Sequence, residues 1–361
     1  MADDKGKGIL RRYESLKAVR ADYEDLWQYI IDYVCPRRYN LDGTKTKGIK
    51  VGEMMFDATA PDALGMLSAG LYGYLVSPAI RWFRLRMSRY GLDDIPEVAA
   101  WLEAVEEVMY WSFGRSNFYS EIYEYFQDGG SIGTATIYSE RDEKTGKIVF
   151  TTCNPGEVFI ACNRHGLVDT VYRRYKLSAR KAVQSFDGGK LPDAVTRAAN
   201  NEKDTEHEYL HAVFPRDDVQ MYFDRGDLRP VLGVKGMPFE SVTLCVDSGS
   251  TVVRESGYRT LPFAVWRWRT NSEEDYGRSP ASDAIVDVLG ANQMGRTLLL
   301  AGQMAVEPPL NVPEELRGKV RIRPRGMNYY DTRERMISAI QVTGQYPIGK
   351  EREDDKRRAI R

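Results

Sequence analysis

Cysteine is scarce in this chain: four in 361 residues, Cys35, Cys153, Cys162 and Cys245, with no C-x-x-C spacing. That argues against a disulfide framework or a cysteine-built zinc site and, with no signal peptide ahead of them, points to a reducing, cytosolic compartment. Histidine is scarcer still, with three. His207 and His211 are four apart, but their segment reads as a strand, which separates them by about 13 Å, too far for a shared zinc. No metal site is expected. Long hydrophobic runs are also missing. The best, Ala63 to Val76, is broken by glycines and followed by Pro78 and Arg81, short of the roughly 18 residues of a membrane span. Charge of one sign is not in excess either: 51 Lys+Arg against 52 Asp+Glu leave a formal charge of −1. A protein that grips nucleic acid by neutralising many phosphates is thereby disfavoured, whereas one that lets DNA pass is not.

What is present is core-forming material, 42% hydrophobic and 11% aromatic, in a length that suits two or three domains. The chain is organised around Tyr276–Leu310, which reads as one long helix. Ser279 suits the N-cap, Pro280 the first helical position, and Asp283 and Asp287 the positive end of the dipole; Pro308-Pro309 stops it. Ala281, Ala284, Ile285, Val288, Leu289, Asn292, Leu299 and Ala301 recur at helical spacing and make an apolar stripe rich in small residues. Periodicity alone fits a buried core helix as well as a helix packed against a neighbour.

Taken in order, residues 9–34 read as an amphipathic helix ended by Pro36, followed by a basic, glycine-bearing loop to Lys50. A small-residue helix over 56–78, a strand-like stretch Trp82–Met87 and a helical region over 96–126 come next. Gly129–Gly133 breaks the helix. Strands are then expected at 135–138, 148–152, 158–161 and 170–175, with Ser178 capping a helix to Phe186 and a further helix over Pro192–Lys203. Three more strands fall at 208–214, 242–246 and 263–268. The class is α+β, without an alternating βαβ pattern.

Little in the sequence carries chemistry. Gly344–Lys350 meets G-x-x-x-x-G-K, but Glu351 stands where a magnesium-binding hydroxyl is needed, and Pro347 removes an N–H from the cradle. Lys350 and Glu351 fit the first turn of a charged helix, Gly349–Arg361. The pairs Asp93-Asp94, Asp217-Asp218 and Asp354-Asp355 read as solvated faces. No catalytic residue, cofactor or metal is expected, which favours a structural role over an enzyme.

Several stretches together resemble one family. Phe56-Asp-Ala-Thr-Ala60, Leu67-Ser-Ala-Gly-Leu71 and Ser77–Phe83 are followed in order by Val168–Val183, by Val213-Phe-Pro-Arg216 with Pro262–Trp268, and by Tyr276–Pro280 through Glu307–Leu310. They resemble the head-to-tail connecting, or portal, proteins of short-tailed bacteriophages. The resemblance implies a portal architecture: a homo-oligomeric ring, usually of twelve subunits, at one vertex of the virion, assembled in the host cytoplasm. Double-stranded DNA would be packaged and ejected through its channel. The implied partners are the terminase large subunit, tail adaptor proteins, and major capsid and scaffolding proteins.

Carried onto this chain, the resemblance implies a wing over 1–190, a first stem helix over 191–204, a β-rich clip over 205–270 and a second stem helix over 271–305. Residues 306–361 would hold the channel loop and the start of a returning wing helix. Ala281, Ala284, Val288, Ala291, Gly295 and Gly302 are the subunit-interface candidates, with Leu289 and Leu299 packing within the same subunit. Arg321, Arg323, Arg325 and Lys350 are channel-loop candidates, and Arg216, Asp217, Asp218 and Arg225 the contacts to terminase or adaptor. The portal proteins normally continue well past Arg361, so the rest of the wing and the crown are expected outside this chain. The alternatives are another virion component, a capsid or adaptor subunit, or a nucleotide-using packaging enzyme built on Gly344–Lys350.

Overall fold

The computed structural model describes residues 2–36, 41, 54–87, 91–142, 144–186, 190–201, 205–217, 221–224, 227–230, 233–306, 310–311, 338–339 and 346–360. The chain divides into two compact units, Met1–Glu53 with Pro61–Asp283, and Met54–Ala60 with Ala284–Arg361.

The first unit carries α1 (Ala2–Tyr33), α2 (Thr59–Leu75), α3 (Pro96–Arg115) and α4 (Phe118–Ser131), then β1 (Thr134–Arg141), β2 (Ile148–Cys153), β3 (Val158–Cys162) and β4 (Val168–Ser178). After α5 (Ala179–Ser185) and α6 (Asp193–Asn200) come β5 (Glu206–Pro215), β6 (Met221–Asp224), β7 (Asp227–Pro230), β8 (Phe239–Cys245), β9 (Thr251–Tyr258) and β10 (Phe263–Arg267). Two antiparallel sheets result, ordered β3-β4-β5-β8-β9 and β10-β1-β2, with β6 and β7 as a separate hairpin. The α+β class is therefore observed.

Two periodicities meet in the core. Ile9, Tyr13 and Leu16 of α1 share one helix face and pack on Leu210, Ala212, Val242 and Leu244, which alternate onto one face of the five-stranded sheet. Arg20 fastens the same helix: its guanidinium lies 3.8 Å from the Phe159 ring centroid and donates to the carbonyls of Pro155, Gly156 and Val158. On the opposite face Ala179, Ala182 and Val195 of α5 and α6 cover Tyr209, Cys245 and Val253.

Several local expectations are corrected. The helical region 96–126 is two helices, parted where Asn117 turns its amide to the backbone N–H and carbonyl of Phe150. Trp82–Met87 joins no sheet. Side chains of α3 satisfy its backbone instead: Phe83 bonds through N–H and carbonyl to the Tyr110 hydroxyl, and the Leu85 N–H donates to Glu106 at 2.7 Å. Gly129 to Ser131 continue α4, and the break falls at Gly133 (φ +88). Ser178 makes no side-chain cap bond to α5. The helix placed at Pro192–Lys203 has only 8 residues, about 12 Å of rise, with Val195 fully buried against the sheet. The β6–β7 hairpin and β9 carry no strong alternation and escaped the sequence reading.

The second unit is built on α7 (Pro280–Val306), whose first turn belongs to the first unit, with β11 (Leu310–Asn311), β12 (Ser338–Ala339) and α8 (Tyr346–Ile360). The N-cap is as read: the Ser282 N–H donates to Ser279 Oγ at 2.9 Å. Helix α8 runs antiparallel to α7. Gly349 meets Leu298, Glu353 meets Gly295, and Lys356 crosses Gly290 and pairs with Asp287 at 2.5 Å. At 295 and 349 a Cβ would come within 3.1 Å of the Phe56 carbonyl and of the Leu298 side chain, so glycine eases the packing at those two positions.

Candidate functional site

Among the described residues no reactive centre is assembled, and no group of three or more His, Cys, Asp or Glu could hold a metal ion. Burial pushes the Cys153 and Cys162 thiols up to about 11 and also raises Cys245, so none is a ready nucleophile near neutral pH. His211 is buried where the two sheets of the first unit meet. Its ring packs edge-on against Tyr138 and beside Phe263, and Nε2 shares a 2.9 Å hydrogen bond with Ser241 Oγ. Desolvation, with Arg173 and Arg254 adding to it, holds it neutral down to about 3. Tyr346–Lys350 lie in the first turns of α8 rather than in a phosphate-cradling loop, while Gly344 and Gln345 fall outside the described residues. Asp354 and Asp355 pair with Arg357 and Arg358, and Asp93 accepts the Met87 N–H.

The motif Tyr276–Pro280 has a clear physical task, which is to start α7. Tyr276 is buried against Tyr23 and Trp27 of α1, and its hydroxyl accepts the Ile160 N–H. Gly277 crosses Gly133 so closely that a Cβ on either would strike the other's backbone region, and its N–H donates to Thr134 Oγ1. Arg278 pairs with Glu274, Ser279 caps, and Pro280 opens the helix. A cleft of about 240 Å³ lies beside this motif, floored by Leu26, Trp27 and Ile30.

Along α7 the interface candidates divide. Val288 and Ala291 are buried within the chain itself, and Gly295 faces the Phe56 carbonyl and Glu353. Ala281 and Ala284 are half-buried, and Gly302 has open space before it. Asn292, read from sequence only as one member of the stripe, ties the 54–57 segment to α7. Its Oδ1 accepts from the N–H groups of Phe56 and Asp57, and its Nδ2 donates to the Met54 carbonyl. From Leu298 onward the apolar stripe loses its cover. Leu299 was expected to pack within the subunit but is 52% exposed; Leu300 and Met304 are exposed too, and Val306 is 82% exposed. They line an open groove of about 1120 Å³ with Phe56, Gly302 and Lys350. Of the remaining candidates, Arg216 is held near Glu240 and Asp217 is exposed, while Asp218, Arg225, Arg321, Arg323 and Arg325 lie outside the described residues.

A family profile described as "Bacteriophage head to tail connecting protein" matches residues 6–361. The chain belongs to this family. Its relatives include the "Probable portal protein" of Bordetella phage BPP-1, 29% identical over 333 residues, covering 90% of this chain and 58% of that protein. The "Portal protein" of Salmonella phage epsilon15 is 27% identical over 344 residues, covering 92% of this chain and 59% of its own length. This head-to-tail connecting protein thus spans somewhat under three-fifths of each relative. No described helix is long and apolar enough to cross a membrane.

Proposed function

We propose that this connecting protein is a subunit of the phage portal, a structural ring at the capsid vertex through which double-stranded DNA is packaged and ejected. The observation that carries the reading is the uncovered apolar end of α7, Leu299 to Val306, on a chain whose family and relatives are head-to-tail connecting and portal proteins. Exposed apolar surface of this kind is ordinarily closed by a neighbour, and heterologous contacts between copies generate rings. The near-neutral charge suits passage of DNA, since tight phosphate binding would have to be broken at every step.

Within this proposal residues 1–190 form the wing, 191–204 and 271–305 the stem, 205–270 the clip that meets terminase and then the tail adaptor, and 306–361 the channel loop and returning wing helix. Helix α6 supplies only a short first stem element. Capsid and scaffolding proteins would surround the ring in the virion. Electron microscopy with native mass measurement tests the reading. Closed rings of about twelve copies with an axial hole that admits duplex DNA are expected, and monomers alone at micromolar concentration overturn it.

A further inference from the structure

Helix α3 is apolar on two sides. Leu102 is buried and Phe113 packs into the core with Trp82 and Phe118, yet a second face stands open. On it Glu97, Trp101, Ala104, Val108, Trp111 and Arg115 are all exposed, at successive spacings of four, three, four, three and four; Trp101, Val108 and Trp111 are each about 60% exposed. A helix apolar on both sides is ordinarily covered on both. The order is symmetric about position 106 in everything but charge: an acid, a tryptophan and a small residue, then a small branched residue, a tryptophan and a base.

We propose that this face docks on the same face of a second copy of the chain, the two α3 helices antiparallel about a two-fold axis beside position 106. Glu97 then meets Arg115 of the second copy, Trp101 meets its Trp111 and Ala104 its Val108, with each pairing made twice. A parallel arrangement would set glutamate on glutamate and arginine on arginine. The Arg115 guanidinium already lies 4.3 Å from the Trp111 ring centroid, and Glu103 and Glu107 are drawn off the face toward Arg81. The paired face is about 27 Å long and narrower than a standard interface, so the contact is reversible, roughly micromolar or weaker. Being isologous, it cannot close a ring; it joins two subunits or two rings, and so goes beyond the portal reading.

Sedimentation equilibrium of the 361-residue chain tests it. The mass of whatever species forms, monomer or ring, should double with concentration. Glu97→Arg and Arg115→Glu should each weaken doubling about tenfold or more, and the double variant should restore it. Both sites are exposed helix ends that complement the dipole, so each single reversal should lower the melting temperature by no more than a few degrees and leave the chain folded in thermal unfolding. Doubling that ignores both single variants, a double variant as weak as either, or no doubling at all, which would give the face to another partner, overturns the proposal. A monomer that doubles normally would count against the ring and leave this contact standing.

Discussion

Arg357 and Asp57, 300 positions apart, meet through a 2.7 Å hydrogen bond from Nε to Oδ2. The same carboxylate accepts the Thr59 N–H at the start of α2, so one side chain serves two elements. Burial works against its charge, but the bonds from Thr59 and Arg357 outweigh burial and hold the carboxyl below its ordinary value.

Asp57→Asn keeps an acceptor for Thr59 and loses the ion pair, whereas Asp57→Ala loses both. The expected losses are about 1–2 kcal/mol for the first and about 2–3 kcal/mol for the second, read from urea unfolding. The depressed carboxyl contributes stability at neutral pH that is lost as pH falls through its folded value. A double-mutant cycle with Arg357→Ala that shows no coupling would remove the ion pair from the account.

Gly133 and Gly277 make a second pair with a sharp consequence. Gly133 has φ +88, and the backbones cross with no room for a Cβ on either. Gly277→Ala should therefore destabilise by about 3 kcal/mol or more and lower soluble yield, although alanine is ordinarily a neutral replacement. Gly65→Ala, on α2 with open space before it, serves as the control and should be neutral or stabilising by up to about 1 kcal/mol.

These pairs also mark how far the sequence could be read. Local signals sufficed for α1, α7 and most strands, because apolar spacing, Ser279-Pro280 and β-branched runs act within a few residues. The motif Tyr276–Pro280 was legible as a signature but not as a mechanism, since the task of Gly277 depends on Gly133, far away in the chain. Asn292 looked like part of an apolar stripe because a clamp on the 54–57 backbone leaves no local trace. Trp82–Met87 has strand-like composition, yet Tyr110 and Glu106 supply its partners. The same distance effect divided the interface candidates: spacing placed Val288 and Gly302 on one face, and only tertiary packing shows the first covered and the second open.

His211 gives a pH prediction. Its folded value, about 3, lies below the ordinary value near 6.5, so between the two the unfolded chain holds a proton that the folded chain refuses. Stability is complete above about 6.5, falls as pH drops below it, and stops falling below about 3. Between pH 7 and pH 5 this one group should remove about 2 kcal/mol. His211→Gln, which can still bond Ser241, should flatten that part of the profile in urea midpoints. A variant with the wild-type slope would show that another group is responsible.

The ring reading is tested most directly by two positions on α7 that differ in what covers them. Ala291 is fully buried by its own chain, so Ala291→Leu must overpack it, with a loss of about 1–3 kcal/mol in thermal or urea unfolding. Leu299 is half exposed, so Leu299→Asp should change monomer stability by no more than about 0.5 kcal/mol. If a neighbouring subunit covers Leu299, however, the same carboxylate is buried without a partner at every interface of the ring, and closure should fail or the subunit count change. Ala284→Trp, half-buried on the same helix, should also disturb closure, with some loss of stability in the monomer. Native mass measured beside thermal unfolding separates the effects: Leu299→Asp should keep its melting temperature and lose the ring. A Leu299→Asp variant that assembles like the wild type would exclude this end of α7 from the subunit interface and leave the exposed Val286, on the opposite side of the helix, as the apolar contact.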